Sequence, residues 1–418
     1  MDALIDKVLN FNKILWLNFG CETRYDSFNS FPWIDPGSLF DGKGLDQICL
    51  LMASKDDYFF VRRNIPRFVR EGYLEAGFQL PHISIFGKDN EGIYATDLLK
   101  NWSINLKLLS NYTLFPFGIS KTEEEFANKV NLPYFGISSE ISQILNSKIN
   151  LRKVVIDANI PVPEGYIAYT NSDADLYIKS NIHNYPMLLK TEYGASGIGI
   201  FSINSLNDWL FIKKRIERRK ISPLLIERRY DVAYSFNYQI LSFSGVTKIV
   251  SIKKQVVNKN LGFIGCDWSK EIIDYSSAAL KDSTNLIIAI LKRYSIEGIV
   301  NVDGFVSVNG DIFPIIDLNA RFSLTSYFTF SKVLQNSPYN FFRFRYYSYF
   351  SESEGRLLDL IHKYRFLKSS PAIFVCCCDL PPNQKTGRIG ILFLAWHEAG
   401  ELDEIEDLFL RILRGIYV

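Results

Sequence analysis

The stretch IIDLNARFS, Ile315 to Ser323, decides how the chain is read. Its two isoleucines read as the end of a buried strand. Asp317, Asn319 and Arg321 then follow at alternate positions. Side chains two apart on a strand point to the same side. An acid, an amide and a guanidinium therefore share one face where a strand leaves the core. The preceding segment, GIVNVDGFVSVNGDIFP, carries Asp303 on a second strand and Asn309-Gly310 as a hairpin turn. Antiparallel pairing across that turn brings Asp303 to the Asp317–Asn319 end. Two carboxylates and an amide oxygen are hard ligands that suit Mg²⁺, with phosphate and water completing its octahedron. Arg321 can hold a phosphate oxygen or a substrate carboxylate. The plainer reading is a sheet edge with Asp317 paired to Arg321.

Two upstream segments bear on that choice. YPMLLKTEYGASGIGIFSI, from Tyr185, places Lys190 at the end of an apolar strand. Gly194, Ala195, Ser196, Gly197 and Gly199 follow, small enough for backbone N–H groups to approach phosphates. The loop lacks the Lys-Ser/Thr ending of a P-loop. Alone, it reads more readily as a plain hairpin. PLLIERRYD then ends a strand at Glu227 and turns irregular from Arg228 to Asp231. Free backbone groups there can pair with an adenine edge, and Asp231 can reach a ribose hydroxyl.

In this order and spacing, with a basic helix holding Lys153 and NIPVPEGY ahead of them, these segments resemble the ATP-grasp superfamily of carboxylate–amine ligases. The resemblance covers about residues 140–330. It implies two α+β subdomains that grip ATP. It matches Lys153 and Lys190 to phosphate-binding lysines and Gly194 to Gly199 to a lid. It matches Glu227, Arg228 and Tyr230 to the adenine hinge, and Asp303, Asp317 and Asn319 to ligands of one or two Mg²⁺ ions. Arg321 and Lys190 are the expected catalytic groups. Two departures stand out. Asp317 occupies a position where the family usually has glutamate, and aspartate is shorter by one C–C bond, about 1.5 Å. The usual ribose-binding glutamate past the hinge is missing from DVAYSFNYQ, leaving Asp231 as its substitute.

The rest of the chain is consistent with a multidomain soluble enzyme. It has 418 residues, 47% hydrophobic and 22% charged, which suits two or three cores. A net charge of +2 argues against nucleic-acid binding driven by bulk charge. No apolar run reaches the ~20 residues needed to span a bilayer. Asp2 and Asp6 make the start unlike a secretory signal, so a cytoplasmic protein is expected. The six cysteines show no CxxC spacing and read as reduced, buried thiols. The four histidines lack partners at zinc-ligand spacing.

Before residue 138, apolar strands such as KILWLNFG, QICLLMAS, HISIF and YTLFPFG alternate with helical stretches, including DDYFFVRRNIPRFVREGYLEAG and TEEEFANKVN. That pattern predicts a mostly parallel α/β layer. The fold class is thus α/β and α+β, in three parts: an N-terminal pre-ATP-grasp domain (1–137), an ATP-grasp domain (138–340, lid about 185–230) and a C-terminal α+β extension (341–418). FFRFRYYSYF, Phe341 to Phe350, is expected as an amphipathic helix with its rings inward. One of Lys253 and Lys254 should face the nucleotide. The basic run from Lys213 to Lys220 reads as a solvated helix face, or as a dock for an acidic partner such as a carrier protein.

The resemblance implies ATP-dependent activation of a carboxylate, that of an amino acid, and its transfer to an amine or a carrier thiol. Expected partners are amino acids or peptides, an acyl carrier protein and a second copy of the chain; nucleic acid and membranes are not. The rival readings are a non-catalytic ATP-binding module and an ATP-grasp kinase.

Overall fold

The computed structural model describes residues 3–24, 44–85, 95–100, 109–194, 197–258, 261–350, 354–379 and 386–414. Its first sheet contains β1 (Asn12–Trp16), β2 (Tyr58–Val61), β3 (His82–Ile85) and β4 (Tyr112–Pro116). They lie in the order β3-β2-β1-β4, with every neighbouring pair parallel. The helix Lys121–Val130 follows β4, started by a capping box between Ser120 and Glu123.

Two readings of this region need correction. QICLLMAS lies in a 3₁₀ helix, Leu45–Met52, rather than a strand. It is mostly apolar and buried from Asp46 to Met52, and periodicity cannot separate such a helix from a buried strand. The single long helix read from Asp56 is a strand, β2, followed by a helix that starts only at Arg67, after Pro66. Proline fits at a helix start but not within a helix.

The second sheet is antiparallel, in the order β5-β8-β6-β7: β5 (Gly165–Ala168), β6 (Met187–Thr191), β7 (Ile200–Ile203) and β8 (Leu224–Arg228). The helices Asn171–Asn181 and Leu206–Arg219 pack Ile178, Trp209, Ile212 and Ile216 against it. The outer face of the second helix holds exposed Lys214, Arg215, Arg218 and Lys220.

The third sheet has eight antiparallel strands: β9 (Val232–Phe243), β10 (Val246–Val257), β11 (Phe263–Ser269), β12 (Gly298–Ser307), β13 (Ile312–Asn319), β14 (Phe341–Phe350), β15 (Ala372–Asp379) and β16 (Thr386–Ala395). Their order is β13-β12-β9-β10-β11-β14-β16-β15. FFRFRYYSYF is therefore β14 and not a helix. Phe342 and Phe344 alternate with Arg343 and Arg345, and both arginines find Asp267 and Glu406. That period of two belongs to a strand. The boundary expected at residue 340 falls within this continuous sheet.

The two ends of the chain share one hydrophobic core, in which Tyr73 and Phe78 of the first region meet Phe374 of β15. Gln47 exchanges two hydrogen bonds with the backbone of Cys378, at 2.8 and 3.0 Å. Tyr73 Oη donates to Cys376 O at 2.9 Å. All six cysteines are buried thiols outside any disulfide, as expected. Among the described residues, no helix is long and apolar enough to cross a membrane.

Candidate active site

The site begins with register. Across the β12–β13 hairpin, Asp303 lies opposite Asp317 and Asn301 opposite Asn319. The same face continues sideways: Asn237 of β9 is opposite Asp303, Gln239 opposite Asn301, and Gln255 of β10 opposite Ser235. Four adjacent strands thus hold polar side chains on one face, on the floor of a cleft of about 580 Å³. Residues of the second sheet, residues Phe19, Gly20, Glu22, Leu45 and Phe117 around the first sheet, and Arg388 of β16 also line that cleft.

Asp303 Oδ1 accepts hydrogen bonds from Asn237 Nδ2 and Gln255 Nε2, both at 2.7 Å. Desolvation and the neighbouring Asp317 carboxylate push its pKa up to about 6, against the pull of those bonds and of Lys148. Among the described residues, no group of three His, Cys, Asp or Glu side chains is placed to hold a metal ion. The donor set is two facing carboxylates plus the Asn319 amide. Two acids that repel one another across a hairpin, on a floor of amide side chains, form a set of hard oxygens that fits a divalent cation.

Arg321 leaves β13 beside this set. Its NH2 donates to Asn319 Oδ1 at 3.0 Å, its NH1 to Phe322 O at 3.0 Å, and its Nε to Glu22 Oε1. The guanidinium also lies 4.8 Å from the Phe117 ring centroid. Glu22 comes from the first domain, which is joined here by a Phe322 N–H bond to Phe117 O at 2.9 Å.

The phosphate side contains one correction. Lys153 is exposed, lies 5.3 Å from the Tyr169 ring, and lines a separate apolar pocket instead of the cleft. Lys148, on the same helix (Lys148–Asp157), is buried and reaches into the cleft. Five residues along a helix is about 140° of rotation, so the two lysines face different ways. Ser147 caps this helix, accepting from Asn150 N at 3.1 Å, which puts Lys148 in its first turn. Lys148 Nζ donates to Asp317 Oδ1 and Oδ2, both at 3.0 Å, and to Gly194 O at 3.3 Å.

Lys190 is where β6 was expected to place it, buried and lining the cleft. Its Nζ lies 2.5 Å from Glu227 Oε2, and Arg152 NH1 lies 3.2 Å from Glu227 Oε1. Glu227 is thus held between two cations, all three side chains being under a tenth exposed. The lid glycines Gly194 and Gly197 line the cleft. Gly199 has φ +81°, and a Cβ there would stand 2.2 Å from Thr191 Oγ1. Ser196 lies outside the described residues.

At the hinge, the N–H groups of Arg228 and Arg229 are taken by Glu164 O (2.7 Å) and Pro186 O (2.8 Å). Tyr230 lines the cleft, 4.7 Å from the Phe313 ring and 6.1 Å from Phe305. Asp231 is exposed and does not line it; its carbonyl accepts from Val308 N at 2.9 Å. Arg228, and Ser235 and Asn237 of β9, are polar side chains that line the cleft in this region. Neither Lys253 nor Lys254 lines the cleft. Lys254 is exposed, and Lys253 is buried behind the wall, on Ser251 Oγ (2.5 Å) and Thr329 Oγ1 (2.6 Å).

No protein-family model matches the chain. The biotin carboxylase–β,γ-ATP complex of Campylobacter jejuni superposes with a TM-score of 0.61 at 13% identity, covering 98% of each chain. The ADP complex of N5-carboxyaminoimidazole synthetase from Staphylococcus aureus gives 0.56 at 13% identity, covering 89% of this chain and 95% of that one. The chain has an ATP-grasp fold. A curated relative, the [butirosin acyl-carrier protein]–L-glutamate ligase of Niallia circulans, is 23% identical over 348 residues, 80% of this chain and 78% of that protein. On the ATP-grasp fold, the cleft lies between the lid sheet and the polar face of the large sheet.

Proposed function

We propose that the protein is an ATP-dependent ligase that activates the carboxylate of an amino acid as an acyl phosphate. It then joins the acyl group to an amine or to the thiol of a carrier, releasing ADP and phosphate. The observation that carries this reading is the convergence of Lys148, Lys190, Asp303, Asp317, Asn319 and Arg321 on one cleft.

In this reading, adenine lies by Tyr230 and the phosphates run toward the lid glycines. Lys148 and Lys190 offset triphosphate charge. Asp303, Asp317 and Asn319 would hold Mg²⁺, which supplies charge neutralisation and orientation at the β- and γ-phosphates. Arg321 orients the substrate carboxylate and stabilises charge that develops on its oxygens. The carboxylate attacks the γ-phosphorus and the bond to ADP breaks. The acceptor then attacks the acyl carbon and phosphate leaves. No protein nucleophile is required. The carrier named for the curated relative favours a carrier-bound acceptor.

A second reading, an ATP-binding module without turnover, draws on Asp231, which is exposed and does not line the cleft. One experiment separates them. The protein is incubated with ATP, Mg²⁺ and pooled amino acids, with and without a phosphopantetheinylated carrier. ADP, phosphate and new amides or thioesters are then measured. Substrate-dependent ADP with an acylated product supports the ligase. AMP would overturn the acyl-phosphate route. Stabilisation by ATP with no product in either mixture would favour the binding module, and a stable phosphorylated product an ATP-grasp kinase.

A further inference from the structure

Four acidic side chains line the cleft among the described residues: Glu22, Glu227, Asp303 and Asp317. Three are committed to nitrogen donors. Glu227 is clasped by Lys190 and Arg152, Asp317 holds Lys148, and Asp303 holds three amides, those of Asn237, Gln255 and Asn319. Glu22 differs. Its Oε1 takes Arg321 Nε, while among the described residues its Oε2 has only the Cys21 thiol at 3.5 Å. A thiol is a weak donor. The Cys21 thiol is fully buried and its pKa is pushed well up by desolvation, so it stays protonated and adds no charge.

A carboxylate whose side chain is 85% removed from water, with one oxygen lacking a strong donor among the described residues, is costly to leave so. The side chain faces the cleft beside the arginine. The most favourable partner for Oε2 is a cation that enters with the substrate, because ammonium-to-carboxylate hydrogen bonds are about twice as strong as neutral ones. An α-amino acid carries its ammonium and carboxylate on adjacent atoms of one small molecule. Such a zwitterion can span Arg321 and Glu22, its carboxylate on the guanidinium and its ammonium on the outer oxygen of Glu22.

We propose that Glu22 forms an ammonium subsite contributed by the first domain, which selects a carboxylate donor that bears an α-amino group. This rests on the ligase reading above. It also gives the first domain a direct part in recognition, beyond its packing on the large sheet.

The test is ADP release with the twenty protein amino acids, each compared with its desamino acid (glutarate for L-glutamate, propionate for L-alanine). Wild type, Glu22→Gln and Glu22→Asp are assayed with ATP, Mg²⁺ and a phosphopantetheinylated carrier, with folding checked by circular dichroism. The expected result is that wild type prefers the amino acid at least tenfold. Glu22→Gln should raise the amino-acid KM at least tenfold, leave the KM for ATP within about twofold, and abolish the preference. Glu22→Asp should restore part of it. A residue that only steadied Arg321 would lower kcat for both acids alike and keep the preference, and that result would overturn the subsite. Equal use of both acids by wild type would overturn it too, while leaving the ligase intact. No turnover of any acid by wild type would overturn the ligase reading itself.

Discussion

Lys148 Nζ stands 3.0 Å from both carboxylate oxygens of Asp317 and 3.3 Å from the carbonyl of Gly194. One ammonium thus ties a helix start to the strand expected to hold metal and to the lid loop. The loop is further tied to this helix start by a Lys148 N–H bond to Glu192 O at 3.0 Å and a Ser147 Oγ bond to Glu192 Oε1 at 2.6 Å. If Lys148 also meets the phosphates, Lys148→Met should lower kcat/KM for ATP by about 10²-fold, the scale for losing a pre-organised charge donor. Lys153→Met should stay within about twofold. Steady-state ADP release compares the two.

Glu227 is the second such junction, with Lys190 and Arg152 on its two oxygens. Burial lowers the pKa of Arg152, but Glu227 opposes that shift. Removing one partner of a buried pair leaves charge uncompensated and costs about 3–5 kcal/mol. Glu227→Ala should therefore lower thermal stability and weaken nucleotide binding together. Lys190→Met should weaken ATP binding as well, since Arg152 alone then holds Glu227. Differential scanning fluorimetry with and without ATP would measure both effects.

Gly118 is where the first domain closes on the site. A Cβ there would stand 2.6 Å from Cys21 Sγ and 3.3 Å from Arg321 Cβ. Gly118→Ala should displace the Cys21–Glu22 turn and Arg321. The expected result is a fall of about tenfold or more in kcat, the scale for an ångström-level misplacement. The ATP KM should be little changed, because the hinge and lid are elsewhere. Equal losses in both parameters would argue against a local effect.

The pKa of Asp303, raised to about 6, predicts a pH dependence for divalent-cation binding to the nucleotide-free protein. Below pH 6 the carboxyl is increasingly protonated and neutral, so affinity should fall as pH drops and binding should release protons. Above pH 7 the dependence should flatten. Mn²⁺ titration followed by electron paramagnetic resonance at pH 5, 6 and 7.5 would measure it. Asp303→Asn should remove the binding and its pH dependence together.

The hairpin face was legible because its spacing carries the geometry: Asn309-Gly310 sets the register, and a period of two puts Asp317, Asn319 and Arg321 on one side. The same logic extends to Ser235, Asn237 and Gln239 in SFNYQ and to Asn301 beside Asp303. Polar residues alternating with buried ones in a central strand were the signal for the rest of the cleft floor. Lys148 was less legible because the choice between two lysines on one helix depends on where the helix starts, and Ser147 sets that start. Glu22 is 299 residues from Arg321 in the chain, and only the packing of the first domain brings them together. Phe341 to Phe350 misled because arginine and aromatic residues suit a helix face and a strand equally in composition; the partners Asp267 and Glu406 decide the matter from outside the segment.

Lys253 carries a pKa shift opposite in direction to that of Asp303. It is buried at 1% exposure, with neutral hydroxyls as partners and the Trp268 ring 5.5 Å away. Desolvation lowers its pKa from 10.5 to about 8. Between about pH 8 and 10.5 the unfolded chain therefore binds more protons here than the folded one, and this group's contribution to stability rises with pH. Below pH 8 the folded protein carries the full penalty of a buried ammonium, up to about 3 kcal/mol. Lys253→Met keeps most of the volume and removes the charge, and Thr329 Oγ1 retains its bond to Gln239 Oε1 at 2.6 Å. The variant should melt higher than wild type at pH 7, and the gap should narrow as pH rises to 9.5. A gap that stays constant or widens with pH would mean that the pKa of Lys253 is not lowered in the folded protein.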